Sequence, residues 1–158
     1  MGDNLMLKME GRWYLQYTGS PLWHRQEIHT ISFNYSVKHL GEELVLMDRV
    51  EYIRSNKMRF RLGVDFPVPG IARTFKWKGK GMNRTFRKHF EVSIITPVYM
   101  VLFFEKTLTS PTSLDVVTRS RNISEELKAE IFSAIENNWT IQEYLSDLQP
   151  IEQIGLKG

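Results

Sequence analysis

No residue type in this 158-residue chain is spaced for covalent catalysis. There is no Gly-x-Ser-x-Gly elbow to expose a nucleophilic serine, no phosphate-cradling P-loop, and no His-Glu-x-x-His pair for zinc. Cysteine is absent, which removes thiolate nucleophiles, disulfides and thiolate metal sites together. His24, His29, His39 and His89 lack the companion spacing of a zinc or haem site. Asp65 could meet Glu91 or Glu105 in space, but their distance in sequence leaves that open. The expected catalytic and metal sets are therefore empty, and no cofactor is expected. What remains is binding: burial of apolar surface, with a few charges and hydroxyls to orient a guest.

Charge adds one further feature. Lys and Arg number 21 against 18 acids, a mild excess. Seven of the basic residues (Arg73, Lys76, Lys78, Lys80, Arg84, Arg87, Lys88) fall in one stretch without an acid. Such a run is either the solvated outer face of a strand pair or a rim that attracts an anionic ligand or membrane surface. Nucleic acid is not expected, because no recognition helix, zinc motif or stacking platform accompanies the charge. The amino-terminal residues lack the apolar stretch of a signal peptide, and no run approaches the roughly 20 residues that span a bilayer. With no cysteine, a cytoplasmic location is expected. The four Asn-x-Ser/Thr sequons, at Asn34, Asn83, Asn122 and Asn138, would then be silent.

The elements that must position any binding residues follow from periodicity. Ile31, Phe33, Tyr35 and Val37 interleave with Thr30, Ser32, Asn34 and Ser36, which is strand alternation. Similar patterns over 11–17, 44–53, 58–66, 71–78, 85–95, 99–108 and 113–121 bring the count to eight strands, with Pro and Gly turns between them. Eight short strands in a meander can close into an antiparallel up-and-down barrel around a single small ligand. After residue 121 the period changes. Leu127, Ile131, Ala134, Ile135 and Asn138/Trp139 recur at helical spacing, behind an N-cap at Asn122 or Ser124. Thr140-Ile141-Gln142-Glu143 predicts a second, short helix ended by Pro150, and residues from Gln153 onward are expected to fray. The whole chain, 1–158, is read as one all-β domain: a barrel over about 11–121, then helices packed outside over about 122–149.

Three segments resemble lipocalins, in the wider calycin superfamily. Gly11-Arg12-Trp13 is similar to the family's opening Gly-x-Trp. Phe33-Asn34-Tyr35-Ser36-Val37, followed by Gly41 and Leu44-Val45, is similar to its second and third strands. Val116-Val117-Thr118-Arg119-Ser120-Arg121-Asn122-Ile123-Ser124-Glu125-Glu126-Leu127 is similar to its last strand and helix start. The family's Thr-Asp-Tyr motif is absent, so the chain resembles an outlying lipocalin-like member. The resemblance implies that Trp13 and Arg119 form a cation–π lid across the barrel floor, an architectural pair that does not touch ligand.

Strand phase carried from these segments points Phe33, Tyr35, Val45 and Met47 inward. Continuing by twos puts Arg49 and Glu51 on the interior line toward the mouth. There they form either a self-neutralising rim pair or an anchor, with Arg49 holding a ligand carboxylate or phosphate. Phe75 and Trp77 share a face, as do Tyr99, Val101 and Phe103, although Met100, Leu102 and Phe104 are as apolar. With Tyr17 and the loop residue Trp23, a possible flap over the mouth, these complete the expected pocket lining.

The leading expectation is a carrier of a small hydrophobic or amphipathic molecule of the fatty acid, lipid or pigment class. Two alternatives stand beside it. One is an interaction module whose barrel is filled by its own aromatics and whose basic face docks a protein or an anionic membrane. The other is a calycin-type enzyme on a lipid or pigment, marked by a polar pair of displaced pKa deep in the cavity.

Overall fold

The alternating stretches form strands because each can bury one face and hydrogen-bond both edges once the sheet closes. The computed structural model describes residues 2–24, 27–79, 87–108 and 110–155. Its elements are α1 (Gly2–Met9), β1 (Gly11–Thr18), β2 (Ile28–Leu40), β3 (Glu43–Arg54), β4 (Lys57–Pro67), β5 (Thr74–Gly79), β6 (Arg87–Ile95), β7 (Tyr99–Phe104), β8 (Ser113–Thr118), α2 (Glu125–Glu136) and the short β9 (Gln149–Pro150). Successive strands from β1 to β8 pair antiparallel, and β1 also pairs with β8. This is the expected closed eight-stranded up-and-down barrel, with α2 following β8.

Tight turns set the register. Gly41 has φ +67 in the two-residue link between β2 and β3, where Leu40 pairs with Glu43. Ser55 and Asn56 both take positive φ in the next hairpin, the backbone that matches strand twist. Three strands are shorter than expected. β5 starts at Thr74, because Val68 to Arg73 are spent on the turn that joins it to β4. β7 stops at Phe104, before the connection to β8, and β8 stops at Thr118.

The barrel floor is built around Trp13. Its indole is fully buried and donates from Nε1 to Met9 O at 2.7 Å. The Arg119 guanidinium lies over the ring, 3.7 Å from its centroid. Arg119 also donates to Arg12 O at 3.2 Å and to Lys8 O at 2.9 Å, tying the end of the barrel to α1. Helix α1, absent from the sequence-based expectation, sends Met6 and Met9 into the core beside Trp13. Gly11 has φ +106, and a Cβ there would lie 2.7 Å from Arg119 Nη1. Both facts demand glycine, which accounts for the Gly-x-Trp pattern in physical terms.

Outside the barrel, α2 is capped by Ser124, whose hydroxyl accepts from Leu127 N at 3.0 Å. Ile131 and Ile135 bury against the outer faces of β7 and β8, whereas Trp139 projects into solvent at 83% exposure. The second predicted helix is a 3-10 turn over Gln142–Asp147. Thr140 does not cap it; its hydroxyl donates to Asn138 Oδ1 at 2.6 Å instead. The tail is ordered through residue 155 rather than frayed at Gln153. Gln153 Nε2 donates to Leu15 O (2.7 Å) and Ile31 O (2.9 Å), stapling the gap where β1 and β2 part.

Trp13→Ala should lower unfolding free energy by about 3 kcal/mol or more, because it opens a cavity and leaves the Arg119 cation without its aromatic partner. Denaturant midpoints measure this. A loss below about 0.5 kcal/mol, the range of ordinary surface changes, would mean that the floor does not depend on the pair.

Candidate functional site

The barrel interior narrows above the floor to a cavity of about 100 Å³. Trp23, Phe33, Trp77, Phe90 and Phe104 form its apolar wall, and Leu22 and Val50 complete it. Phe75 stacks on Phe90 (5.4 Å between centroids) beneath that layer, and Phe90 in turn meets Phe104 at 5.4 Å. Trp23 sits on the 3-10 turn Pro21–His24 between β1 and β2, in edge contact with Tyr52 at 6.0 Å. A larger hollow of about 600 Å³ lies between Leu5 of α1 and the β4–β5 turn. Its lining is mostly apolar, with Arg73 and Thr74 as the side chains that carry polar groups.

Three aspartates stand inside the barrel. Asp48 on β3 pairs across from Tyr35 on β2; Asp65 on β4 and Asp115 on β8 complete the set, and each is less than a tenth exposed. Asp115 accepts from the Thr18 hydroxyl at 2.5 Å. Burial pushes its carboxyl up to about 6, against the opposing influence of that hydrogen bond and of Lys88. Burial likewise raises Asp48 to about 6, while its hydrogen bond with Asp65 pulls the other way. Asp65 is driven well above the carboxylate range by burial and then by repulsion from Asp48. Two adjacent buried carboxyls resist ionising together, and Asp65 is the more reluctant of the two. Tyr35, shut in the same layer, has its hydroxyl acidity suppressed by burial and then by all three aspartates.

Two cations face the same space. Arg61 and Lys88 line the cavity, and Lys88 Nζ lies 4.7 Å from the centroid of Phe104. Burial lowers the Lys88 pKa, with Asp115 opposing and Arg61 reinforcing. Among the described residues, neither cation comes within 4.0 Å of an interior carboxylate. Two oxygens of cavity-lining residues, Asp48 Oδ1 and Ser20 Oγ, have no hydrogen-bond partner among the described residues, and the two oxygens of Asp65 behind them have none but Asp48.

The expected lining residues divide by strand phase. Trp23, Phe33, Tyr35 and Trp77 line the cavity, and Phe75 packs below it. Val45, Met47 and Arg49 are corrected to the opposite face of β3. Phe33 pairs with Val50 and Tyr35 with Asp48, and directly paired residues share a face. Arg49 instead lies over exposed Phe60 at 4.2 Å and bonds Glu51 at 2.9 Å; Glu51 also takes Arg12 at 3.2 Å. Tyr99, Val101 and Phe103 are corrected outward as well, where they pack under α2 and the 3-10 turn, with Phe103 stacked on Tyr144 at 5.6 Å. Tyr17 faces Phe132 of α2 at 5.0 Å because a bulge between Leu15 and Tyr17 reverses the alternation of β1. The same bulge turns Thr18 inward onto Asp115.

Other expectations resolve similarly. Asp65 meets Asp48, not Glu91 or Glu105, which are exposed. Lys88 leaves the basic run for the interior, whereas Lys76 and Lys78 alternate with Phe75 and Trp77 and so stand outside. Lys80, Arg84, the Arg87 side chain and the Asn83 sequon lie outside the described residues. Ser20, Leu22, Asp48, Val50, Arg61, Lys88, Phe90, Phe104 and Asp115 line the cavity without having been expected there. Counting through the two-residue turn at Gly41-Glu42 would have found Asp48 and Val50. Asp115, alone among the apolar residues Leu114, Val116 and Val117, was a second available signal.

The displaced carboxyls fix a pH dependence. Asp115 takes up its proton near pH 6 in the folded chain but near its ordinary 3.8 when unfolded. Its stabilising contribution is therefore complete below about pH 4 and lost as pH rises through about 6, a change of about 3 kcal/mol. Asp48 and Asp65 act in the same direction. Asp115→Asn should accordingly raise the melting temperature at about pH 7.5 and reduce the gain seen on acidification to about pH 5.5. A variant that follows the wild-type pH profile throughout would refute the assignment.

No family model matches the sequence, and no curated protein matches it. Solved structures do. Apocrustacyanin C2 superposes with a TM-score of 0.70 at 13% identity, covering 93% of this chain and 78% of its own. Lobster apocrustacyanin A1 gives 0.69 at 14%, covering 94% and 79%. The siderocalin Ex-FABP, described as functioning through dual ligand specificities, gives 0.63 at 15%, covering 94% and 96%. At such low identity the likeness concerns backbone architecture alone. Barrel, Trp13–Arg119 floor and trailing helix together are those of the lipocalin fold, and that is the fold of this chain.

Proposed function

We propose that the protein binds and carries a small hydrophobic or amphipathic molecule in the barrel. The observation that supports this most directly is the aromatic-walled cavity with two unpartnered oxygens, closed below by Trp13, Arg119 and α1. The ligand specificities named for the siderocalin point the same way on the same fold. A volume of about 100 Å³ suits a compact guest. A dry engineered cavity of about 150 Å³ takes benzene, so a long acyl chain or an extended pigment would need the aromatic wall to open. A one-ring guest burying roughly 120 Å² of apolar surface gains roughly 3 kcal/mol, which association costs consume. Polar contacts must then decide the affinity. A reducing, intracellular setting is part of this proposal, on the ground that the chain contains no cysteine.

A second reading is favoured by the Asp48–Asp65 pair, since buried carboxyls of raised pKa, one of them in the cavity lining, can also move protons on a bound substrate. Mass spectrometry separates the two. Protein purified from its own host and sprayed under native conditions should carry a small adduct, and incubation should return the extracted molecule chemically unchanged. Chemical conversion of that molecule would favour the enzyme. Absence of any adduct, together with no binding of the one-ring hydrocarbon toluene, would defeat both. Phe33→Trp, which fills the cavity, should abolish toluene binding with little loss of stability.

A further inference from the structure

Asp48, an acceptor when ionised, lines an aromatic-walled cavity without an ion-pair partner among the described residues. We propose that the guest is a small amine cation, an arylalkyl ammonium in chemical class, with its charged head on Asp48 and Ser20 and its ring among Trp23, Phe33, Trp77, Phe90 and Phe104. The inference rests on the binding reading above and narrows it.

Three observations support it. Asp48 and Ser20 line the cavity, both side chains are more than nine-tenths buried, and Asp48 Oδ1 and Ser20 Oγ have no hydrogen-bond partner among the described residues. An ammonium brings three donors and no acceptor, which suits the acceptor-only carboxylate of Asp48 and the lone pairs of the Ser20 hydroxyl. A ligand carboxylate could accept from Ser20 but would be repelled by Asp48. Secondly, the interior cations are poorly placed to neutralise Asp48. Lys88 and Arg61 line the same space, yet neither forms an ion pair with an aspartate, and Lys88 lies on the ring of Phe104. Thirdly, the walls are aromatic faces, which attract a cation electrostatically and stack on a ring, and the volume matches one ring better than a chain.

Calorimetric titration with 2-phenylethylamine, 2-phenylethanol and 3-phenylpropionate near neutral pH tests the proposal, since the three share a ring and differ in the charge of the head. The amine should bind at least about 10-fold more tightly than the alcohol, as expected for a charge-assisted hydrogen bond, and the acid more weakly still. Asp48→Asn should reduce the amine to the affinity of the alcohol while leaving the alcohol unchanged. Ser20→Ala, which does not touch the aspartate pair, should weaken the amine by a smaller factor. Alcohol or acid binding as tightly as the amine overturns the amine inference and leaves the carrier reading standing. So does failure of all three while toluene binds. Failure of all three and of toluene overturns both.

Discussion

The closed end of this barrel depends on a single planar cation laid over an indole. Arg119 leaves the last strand at the point where Trp13 enters on the first, and its guanidinium covers the ring while its nitrogens reach the carbonyls of Lys8 and Arg12. An arginine suits this place because its fork can donate to two carbonyls and stack at once, which a lysine cannot do. The contact joins residues far apart in sequence, so it fastens β1, β8 and α1 together. Gly11 is the consequence for the backbone, since the guanidinium occupies the space where a Cβ would be. Everything above the floor can remain partly hollow because the floor itself is solid.

Inside, the fold tolerates an arrangement that costs stability. Three aspartates are buried in a layer otherwise made of aromatic rings, and the acidity of each is displaced by loss of hydration. Such groups lower the stability of the fold at neutral pH. The Thr18 hydroxyl removes part of the cost at Asp115. Asp48 and Asp115 line the cavity, whereas Asp65 lies behind Asp48.

The seam between β1 and β2 shows how local irregularity directs function. The two strands pair only over Gly11 to Tyr14, and the tail then supplies the missing partners through β9, Ile151 and Gln153. The nearby bulge at Leu15/Tyr17 exchanges which side chains of β1 face inward, delivering Thr18 to Asp115 and Tyr17 to the helix. One extra residue in a strand therefore decides both a cavity hydrogen bond and the docking of α2.

Eight strands, their order, the helix after the last of them and the Trp13–Arg119 floor were legible in the amino-acid sequence, because alternation, turn residues and a short motif are local properties. So were Phe33, Tyr35, Phe75 and Trp77 as interior residues, on strands whose opposite face is polar. Which way β7 points was not legible: α2 buries its outer face, so Tyr99 and Val101 are as apolar as Met100 and Leu102. The phase of β1 past Gln16 depended on a bulge with no sequence mark. The gathering of Asp48, Asp65 and Asp115 required the barrel to close, since carboxyls on three separate strands become neighbours only when the sheet curls back on itself. Local pattern determined the strands; closure and register decided which side chains met in the hollow they enclose.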